Sequence, residues 1–201
     1  MRGLYAIVDP DACAGRDPAW VADRLLSAPI GALQIRAKRA TDRALLALAR
    51  TLRDMTRRAG VPLIVNDRVD VALAVEADGV HLGQTDLPVS VVRAIAPALQ
   101  VGVSTHCLEQ ALRAADEGAD AIAFGPVFPT RSKQNPDPVV GLDALATVVA
   151  RVRLPVIAIG GIDASRVAAV RATGASAWAA IGALCGAADP QAAARSMACV
   201  E

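Results

Sequence analysis

Two aspartates in the middle of the chain carry the strongest chemical signal. Asp67 ends the apolar run 62–67, and Asp86 follows the next apolar run, 79–83. If these runs are neighbouring strands, the two carboxylates could reach one point, where they repel each other unless they share a proton or a cation. Mg²⁺, which takes one or two carboxylates together with substrate phosphate, is the natural cation. Alternatively, Asp67 caps the helix that follows it, although Asn66 could do the same.

Basic side chains interrupt another apolar run, 32–37. Gln34, Arg36 and Lys38 stand at alternate positions, so they point to the same side if the strand stays extended. A guanidinium within an apolar run needs an anion or a dense set of acceptors. A substrate phosphate would meet that need, whereas the alternative is that Arg36 and Lys38 are ordinary surface charges at the end of a strand.

The stretch "GPVFPTRSK", residues 125–133, ends the apolar run 121–126 with donors and a cation. Its two prolines fix the backbone and remove hydrogen-bond donors. A rigid turn lowers the entropic cost of holding donors at a fixed distance from a dianionic group. Thr130 and Ser132 supply hydroxyls, and Lys133 supplies charge where a leaving group develops it.

Eight short apolar runs must position these residues, and they alternate with longer amphipathic stretches. The runs are nearly continuous in apolar character, as expected of strands covered on both faces, and they lie at 3–9, 32–37, 62–67, 79–83, 100–105, 121–126, 155–161 and 177–184. Eight units in 201 residues leave about 25 residues each. Strict alternation predicts a parallel sheet, and eight units favour a single-domain (β/α)8 TIM barrel over residues 1–201. An open doubly wound sheet is the alternative.

Such a barrel places its active site at the C-terminal ends of the strands. Small residues stand at two of these ends, Gly160–Gly161 and Ile181–Gly182, where an oxyanion could approach bare main-chain N–H groups. Alternatively, the glycines only serve turns. The two histidines, His81 and His106, are predicted to line or orient the site rather than to act as general bases.

Composition excludes several classes of protein. The formal net charge of +1 gives no reason to expect nucleic acid or an anionic membrane as a partner. No apolar run reaches the roughly 18 residues of a membrane span, and the first apolar run is shorter than the 7–15 residues of a signal-peptide core. The four cysteines form no CxxC motif, which predicts reduced thiols and a cytoplasmic protein.

Several motifs together resemble one enzyme family across essentially the whole chain. "LYAIVD", "LQIRAK", "LIVNDRVDVALAVEADGVHLGQTDLP", "GVSTH", "GADAIAFGPVFPTRSK", "GLDAL" and "PVIAIGGI" stand in the order and spacing of thiamine phosphate synthases. That family joins a hydroxymethylpyrimidine diphosphate to a carboxylated thiazole phosphate, with Mg²⁺, and releases diphosphate and CO2. The resemblance implies a transferase on a (β/α)8 barrel.

The resemblance also implies a role for each site residue. Residues that would bind the pyrimidine diphosphate are Gln34, Ile35, Arg36, Ala37, Lys38, Asn66, Ser104 and Lys133, of which Arg36, Lys38, Ser104 and Lys133 would be catalytic. Residues that would hold the thiazole phosphate are Thr130, Arg131, Ser132, Gly161, Ile181 and Gly182. Asp67 and Asp86 would bind Mg²⁺. No protein nucleophile is required, since the implied mechanism is dissociative.

Three departures from the family pattern leave alternatives open. Ser132 stands where Thr is common, Gly182 replaces a frequent Ser, and the chain is short before its first strand, where many members carry a capping helix. The last two features also suit thiazole tautomerases, a sister group that isomerises the thiazole carboxylate phosphate without Mg²⁺. A non-catalytic protein that binds thiamine-pathway phosphates is a third hypothesis, and assembly into a homo-oligomer stays open.

Overall fold

The computed structural model describes residues 2–130 and 137–198, and it contains a closed eight-stranded barrel. The strands are β1 Gly3–Val8, β2 Ala32–Ile35, β3 Leu63–Asn66, β4 Gly79–Leu82, β5 Gln100–Thr105, β6 Ala121–Phe124, β7 Val156–Ile159 and β8 Ala177–Ala180. Each strand pairs in parallel with its neighbours in sequence, and β8 pairs with β1. The predicted (β/α)8 barrel is confirmed, and the open sheet is wrong.

Helices follow the strands and cover the outside of the barrel. They are α1 Pro18–Leu26, α2 Asp42–Ala59, α3 Val69–Ala74, α4 Val89–Ile95, α5 Leu108–Asp116, α6 Gly141–Arg151, α7 Val167–Ala172, α8 Gly182–Cys185 and α9 Pro190–Ala198. The longest, α2, begins where the Thr41 hydroxyl accepts from the N–H of Ala44, and it ends at Gly60, whose φ is +67°. Within the described ranges, no helix has the length and apolar character needed to span a bilayer.

Two apolar clusters hold the barrel together. The larger cluster lies between the sheet and the helices, and the smaller fills the barrel interior. The interior cluster is rich in alanine, with Ala121 and Ala123 on β6 and Ala177 and Ala179 on β8. Of these, Ala123 and Ala179 line the main cavity, which extends into the barrel from the C-terminal ends of the strands.

Two aspartates at the N-terminal end of the barrel make the same pair of contacts. Asp78 precedes β4; its Oδ2 accepts from the N–H of Leu63, at 2.7 Å, and from Arg53 of α2, at 2.6 Å. Asp120 precedes β6; its Oδ2 accepts from the N–H of Val101, at 2.7 Å, and from an arginine at the end of α4, at 2.5 Å. Each carboxylate therefore joins a helix to the first residues of the preceding strand.

Replacing Asp78 by Ala is expected to lower the free energy of unfolding by about 1–3 kcal/mol, because the N–H of Leu63 and the guanidinium of Arg53 both lose a charged partner. Urea denaturation measures this change. Since Asp78 lies at the end of the barrel opposite the main cavity, the residues that line the cavity should stay in place. The same substitution at the exposed Asp54 is the control, and equal stability of the two variants would contradict the anchoring role.

Candidate active site

The main cavity opens at the C-terminal ends of the strands and has a volume of about 700 Å³. Every strand or the segment after it contributes to its lining. The residues that sequence reasoning placed in the site and that line this cavity are Gln34, Arg36, Lys38, Asn66, Asp67, Asp86, Ser104, Thr130, Gly161, Ile181 and Gly182. Arg131, Ser132 and Lys133 lie outside the described residues.

The side chains of Ile35 and Ala37, unlike those of the other predicted site residues on this strand, point away from the cavity. The side chain of Ile35 is fully buried in the cluster between the sheet and the helices, and Ala37 packs against that same cluster. Because alternate residues of a strand point to opposite faces, both side chains face away from the side that Gln34, Arg36 and Lys38 share. Ile35 and Ala37 can therefore contact a ligand in the cavity only through their main chain.

The acidic pair predicted as a metal site lies on one wall of the cavity, beside a lysine. Lys38 Nζ is 3.1 Å from Asp67 Oδ2, and Asp86 Oδ2 accepts from the N–H of Gly83 at 2.6 Å. Burial raises the pKa of Asp67, Lys38 opposes this shift, and the neighbouring Asp86 carboxylate adds to it. Asp67 and Asp86 are thus close enough for their charges to interact unfavourably.

Asp67 does not cap the helix that follows it. The N-terminal flanking residue of α3 is Arg68, and no side chain there accepts from the helix N–H groups. Asp67 itself has a φ of +61°, a conformation that Asp tolerates better than most residues, and its N–H donates to the carbonyl of His81 at 2.8 Å. The capping interpretation is wrong, and the Asp67 carboxylate is directed to the cavity instead.

The chemistry of these donors fits Mg²⁺. Across residues 2–130 and 137–198, no group of three or more His, Cys, Asp or Glu side chains could enclose a metal ion. A site built from two carboxylates, with its remaining ligands from water and substrate oxygens, is what Mg²⁺ prefers, whereas zinc takes a fuller set of protein ligands. The pKa of Asp67 is raised first by burial and further by the Asp86 carboxylate, and a bound cation would relieve the second effect.

Arg36 has an internal partner that sequence reasoning missed. Its Nη1 contacts Asp9 Oδ2, and the two side chains are 18% and 4% exposed, so Arg36 is not an ordinary surface charge. Asp9 follows β1 directly, at the same end of the barrel as the predicted site. Its position after a strand was the available signal, but only the pairing of β1 with β2 brings it to Arg36.

Polar side chains pair with one another at the floor of the cavity. Gln34 Nε2 donates to the hydroxyl of Tyr5 at 2.9 Å, and His81 Nε2 lies 2.8 Å from Ser104 Oγ. Burial lowers the pKa of His81 to about 4; nearby Asp86 opposes this shift and Lys38 adds to it, so the imidazole is neutral near pH 7. The floor therefore presents uncharged hydrogen-bonding groups to a ligand.

The double glycine at the end of β7 accommodates the proline-rich stretch. Val127 and Phe128 donate their N–H groups to the carbonyls of Ile159, at 2.8 Å, and Gly160, at 3.0 Å. Gly160 and Gly161 have φ of +99° and +64°, and a Cβ on either would lie 2.4 Å from an atom of the proline-rich stretch. The glycines thus allow the close approach that brings Thr130 to the cavity rim, so they do more than form a turn.

The fold and the site define the class of (β/α)8-barrel enzymes that work at the C-terminal ends of their strands. The family model described as thiamine monophosphate synthase matches residues 4–184. The chain belongs to that family, as its motifs predicted, and it is a transferase of the thiamine-phosphate synthase type.

Individual relatives agree with this assignment. A thiamine-phosphate synthase of Chloroflexus aurantiacus is 44% identical over 96% of this chain and 90% of its own length. Another, of Roseiflexus castenholzii, is 46% identical over 98% of this chain and 87% of its own. The solved structure of a thiamine phosphate pyrophosphorylase from Pyrococcus furiosus is 39% identical, covers 97% of this chain and 93% of its own, and superposes with a TM-score of 0.90.

Proposed function

We propose that this chain couples 4-amino-2-methyl-5-(diphosphooxymethyl)pyrimidine with a carboxylated thiazole phosphate in the cytoplasm, giving thiamine phosphate, diphosphate and CO2. The observation that supports this most is the gathering of Arg36, Lys38, Asp67 and Asp86 around one cavity at the C-terminal end of the barrel. These residues come from three separate stretches of the chain, and together they suit a metal-bound polyanion.

The charges at the cavity support a requirement for Mg²⁺. Arg36 is already paired with Asp9, and Lys38 with Asp67, so these cations are balanced before any substrate binds. A diphosphate adds further negative charge beside Asp86, which is unfavourable without another cation. Mg²⁺ held by Asp67 and Asp86 would supply that charge and neutralise the departing diphosphate.

The chain's own residues would act by positioning and by stabilising charge. The bond between the methylene carbon and the diphosphate oxygen breaks, and its electron pair leaves with diphosphate, whose charge Arg36, Lys38 and Lys133 stabilise. The electron-rich aminopyrimidine stabilises the methylene cation. The lone pair of the thiazole nitrogen then forms the new C–N bond, and the ring carbon loses CO2 and takes up a proton.

Separate parts of the cavity would hold the two substrates. Gln34, Asn66 and Ser104 would bind the pyrimidine ring at the floor, near the diphosphate-binding cations. The residues that would hold the thiazole phosphate are Thr130, Arg131, Ser132, Gly161, Ile181 and Gly182. Bringing the thiazole nitrogen and the methylene carbon together in a fixed orientation can account for a large part of a rate enhancement without a covalent enzyme intermediate.

One assay tests this function against its alternatives. Purified protein is incubated with both substrates, with and without Mg²⁺, and thiamine phosphate is measured. We expect product only when both substrates and Mg²⁺ are present. Conversion of the thiazole carboxylate phosphate to its tautomer, unaffected by a chelator, would instead establish a thiazole tautomerase. Ligand binding without turnover of either kind would establish a non-catalytic binding protein.

A further inference from the structure

The connection between β1 and α1, residues 9–17, contacts a cationic residue of one proposed substrate site and the helix that begins at the other. At its first end, both carboxylate oxygens of Asp9 are engaged: Oδ2 contacts Arg36, and Oδ1 accepts from the N–H of Asp11 at 3.0 Å. Arg36 lines the cavity, whereas Asp9 lies behind it, with 3% of its surface exposed. Asp9 therefore does not contact a ligand in the cavity, whereas Arg36 does line it.

At its second end, Arg16 binds the segment around α8. Arg16 donates from Nη1 to the carbonyl of Ala187, at 2.7 Å, and from Nη2 to that of Cys185. Its Nε donates to the carbonyl of Cys13, at 3.1 Å, within the connection itself. One guanidinium thus joins the connection to the last residue of α8 and to the turn that follows.

Arg16 adds to the anchoring of α8, whose Cys185 thiol also donates to the carbonyl of Ile7 at 3.2 Å. The helix consists of a single turn, Gly182–Cys185, whose few internal hydrogen bonds cannot hold an isolated helix in place. The residues at its start, Ile181 and Gly182, line the cavity on the side proposed for the thiazole phosphate. The start of this short helix is therefore held by β8 on one side and by the contact of Arg16 with its last carbonyl on the other.

Hydrogen bonds within the connection hold its middle residues in place. Residues Pro10–Ala12 form a 3-10 turn, and the carbonyl of Asp9 accepts from the N–H of Ala12, at 2.9 Å, and from the thiol of Cys13, at 3.2 Å. Ala14 and Gly15, with φ of +53° and +78°, then reverse the chain. Asp9 and Arg16 are thus two ends of one compact piece.

We propose that the β1–α1 connection is a positioning element for both substrates of the reaction. Asp9 holds Arg36 so that its remaining N–H groups face the pyrimidine diphosphate, and Arg16 holds α8 so that its first residues meet the thiazole phosphate. The inference rests on the proposed function, and it assigns roles to two residues that need not touch either substrate.

Steady-state kinetics of Asp9→Asn test the first end. We expect KM for the pyrimidine diphosphate to rise at least about tenfold, since a small displacement of a charged group suffices for such losses, while KM for the thiazole phosphate changes by less than about threefold. A purely electrostatic role makes the opposite prediction. Removing a carboxylate beside Arg36 would then lower KM for the diphosphate and leave kcat unchanged, and that result would overturn the positioning role.

Arg16→Ala tests the second end, and each variant is the control for the other. We expect KM for the thiazole phosphate to rise about tenfold while KM for the pyrimidine diphosphate stays within about threefold. Arg16→Lys, which keeps one donor for these carbonyls, should restore part of the affinity. KM does not depend on the amount of folded enzyme, so a merely destabilising effect would leave both KM values unchanged and would contradict the inference.

The same assay separates the inference from the proposed function. If the wild-type protein forms no thiamine phosphate from the two substrates with Mg²⁺, both are overturned. If the wild-type protein is active but Asp9→Asn and Arg16→Ala impair both substrates equally, or neither, only the positioning role is overturned. Selective effects, one substrate for each variant, support it.

Discussion

Asp67→Asn and Asp86→Asn should each lower the Mg²⁺-dependent rate of thiamine phosphate formation at least about a thousandfold, the scale of losing a major stabiliser of transition-state charge. Each substitution keeps the size of the side chain and removes the negative charge that a hard cation requires. Measurement of kcat at saturating substrates and several Mg²⁺ concentrations tests this, and excess Mg²⁺ should restore little of the lost rate.

The matched control is Asp54→Asn. Asp54 is exposed on α2, so this variant makes the same change in net charge away from the cavity, and it should keep the wild-type rate. Full Mg²⁺-dependent activity in either the Asp67 or the Asp86 variant would refute the proposed metal site.

Arg36→Lys has the second-largest expected effect, a decrease in kcat of about a hundredfold. Lysine keeps the positive charge next to the buried Asp9, so the barrel should remain folded. It lacks the planar group that can contact Asp9 with one nitrogen and present others to the departing diphosphate. Single-turnover measurements with saturating pyrimidine diphosphate isolate the step in which diphosphate departs.

Arg39→Lys is the control for this substitution. Arg39 lies three residues further along the chain and is largely exposed, with a distant contact to Asp11 at 3.6 Å, so its replacement should leave kcat unchanged. A wild-type kcat in Arg36→Lys would show that only the charge at position 36 matters, contrary to the proposed geometry.

The barrel could be predicted because its pattern is local. Each strand is a short, nearly continuous apolar run, such as 63–66 or 121–124, and a helix follows each strand. Burial on both faces removes the alternation of an exposed strand, and eight regular units favour closure. These properties are visible in the sequence without knowledge of any long-range contact.

Much of the candidate site could be predicted for a related reason. In a parallel barrel, every strand delivers its C-terminal end to the same rim, so side chains at the ends of different strands must converge. Asp67 and Asp86 follow this rule, as do Gln34, Arg36 and Lys38, which share one side by strand alternation. The motifs of the family then assign a role to each residue.

The contacts that sequence reasoning missed depend on register and on distant packing. Asp9 meets Arg36 only because of how β1 pairs with β2, and Arg16 reaches Cys185 across 169 positions of sequence. The hydrogen bond between Gln34 and Tyr5 inside the barrel also depends on how β1 pairs with β2. No local pattern encodes such partners, because they are set by how the sheet closes.

Binding of Mn²⁺, followed by the electron paramagnetic resonance signal of the free ion, tests the central claim most directly. Mn²⁺ prefers the same oxygen ligands as Mg²⁺. In the presence of the pyrimidine diphosphate, we predict that the wild-type chain binds a single Mn²⁺ tightly and that the double variant Asp67→Asn/Asp86→Asn does not. Equal Mn²⁺ binding by the two proteins would contradict a metal-bound diphosphate at this rim of the barrel.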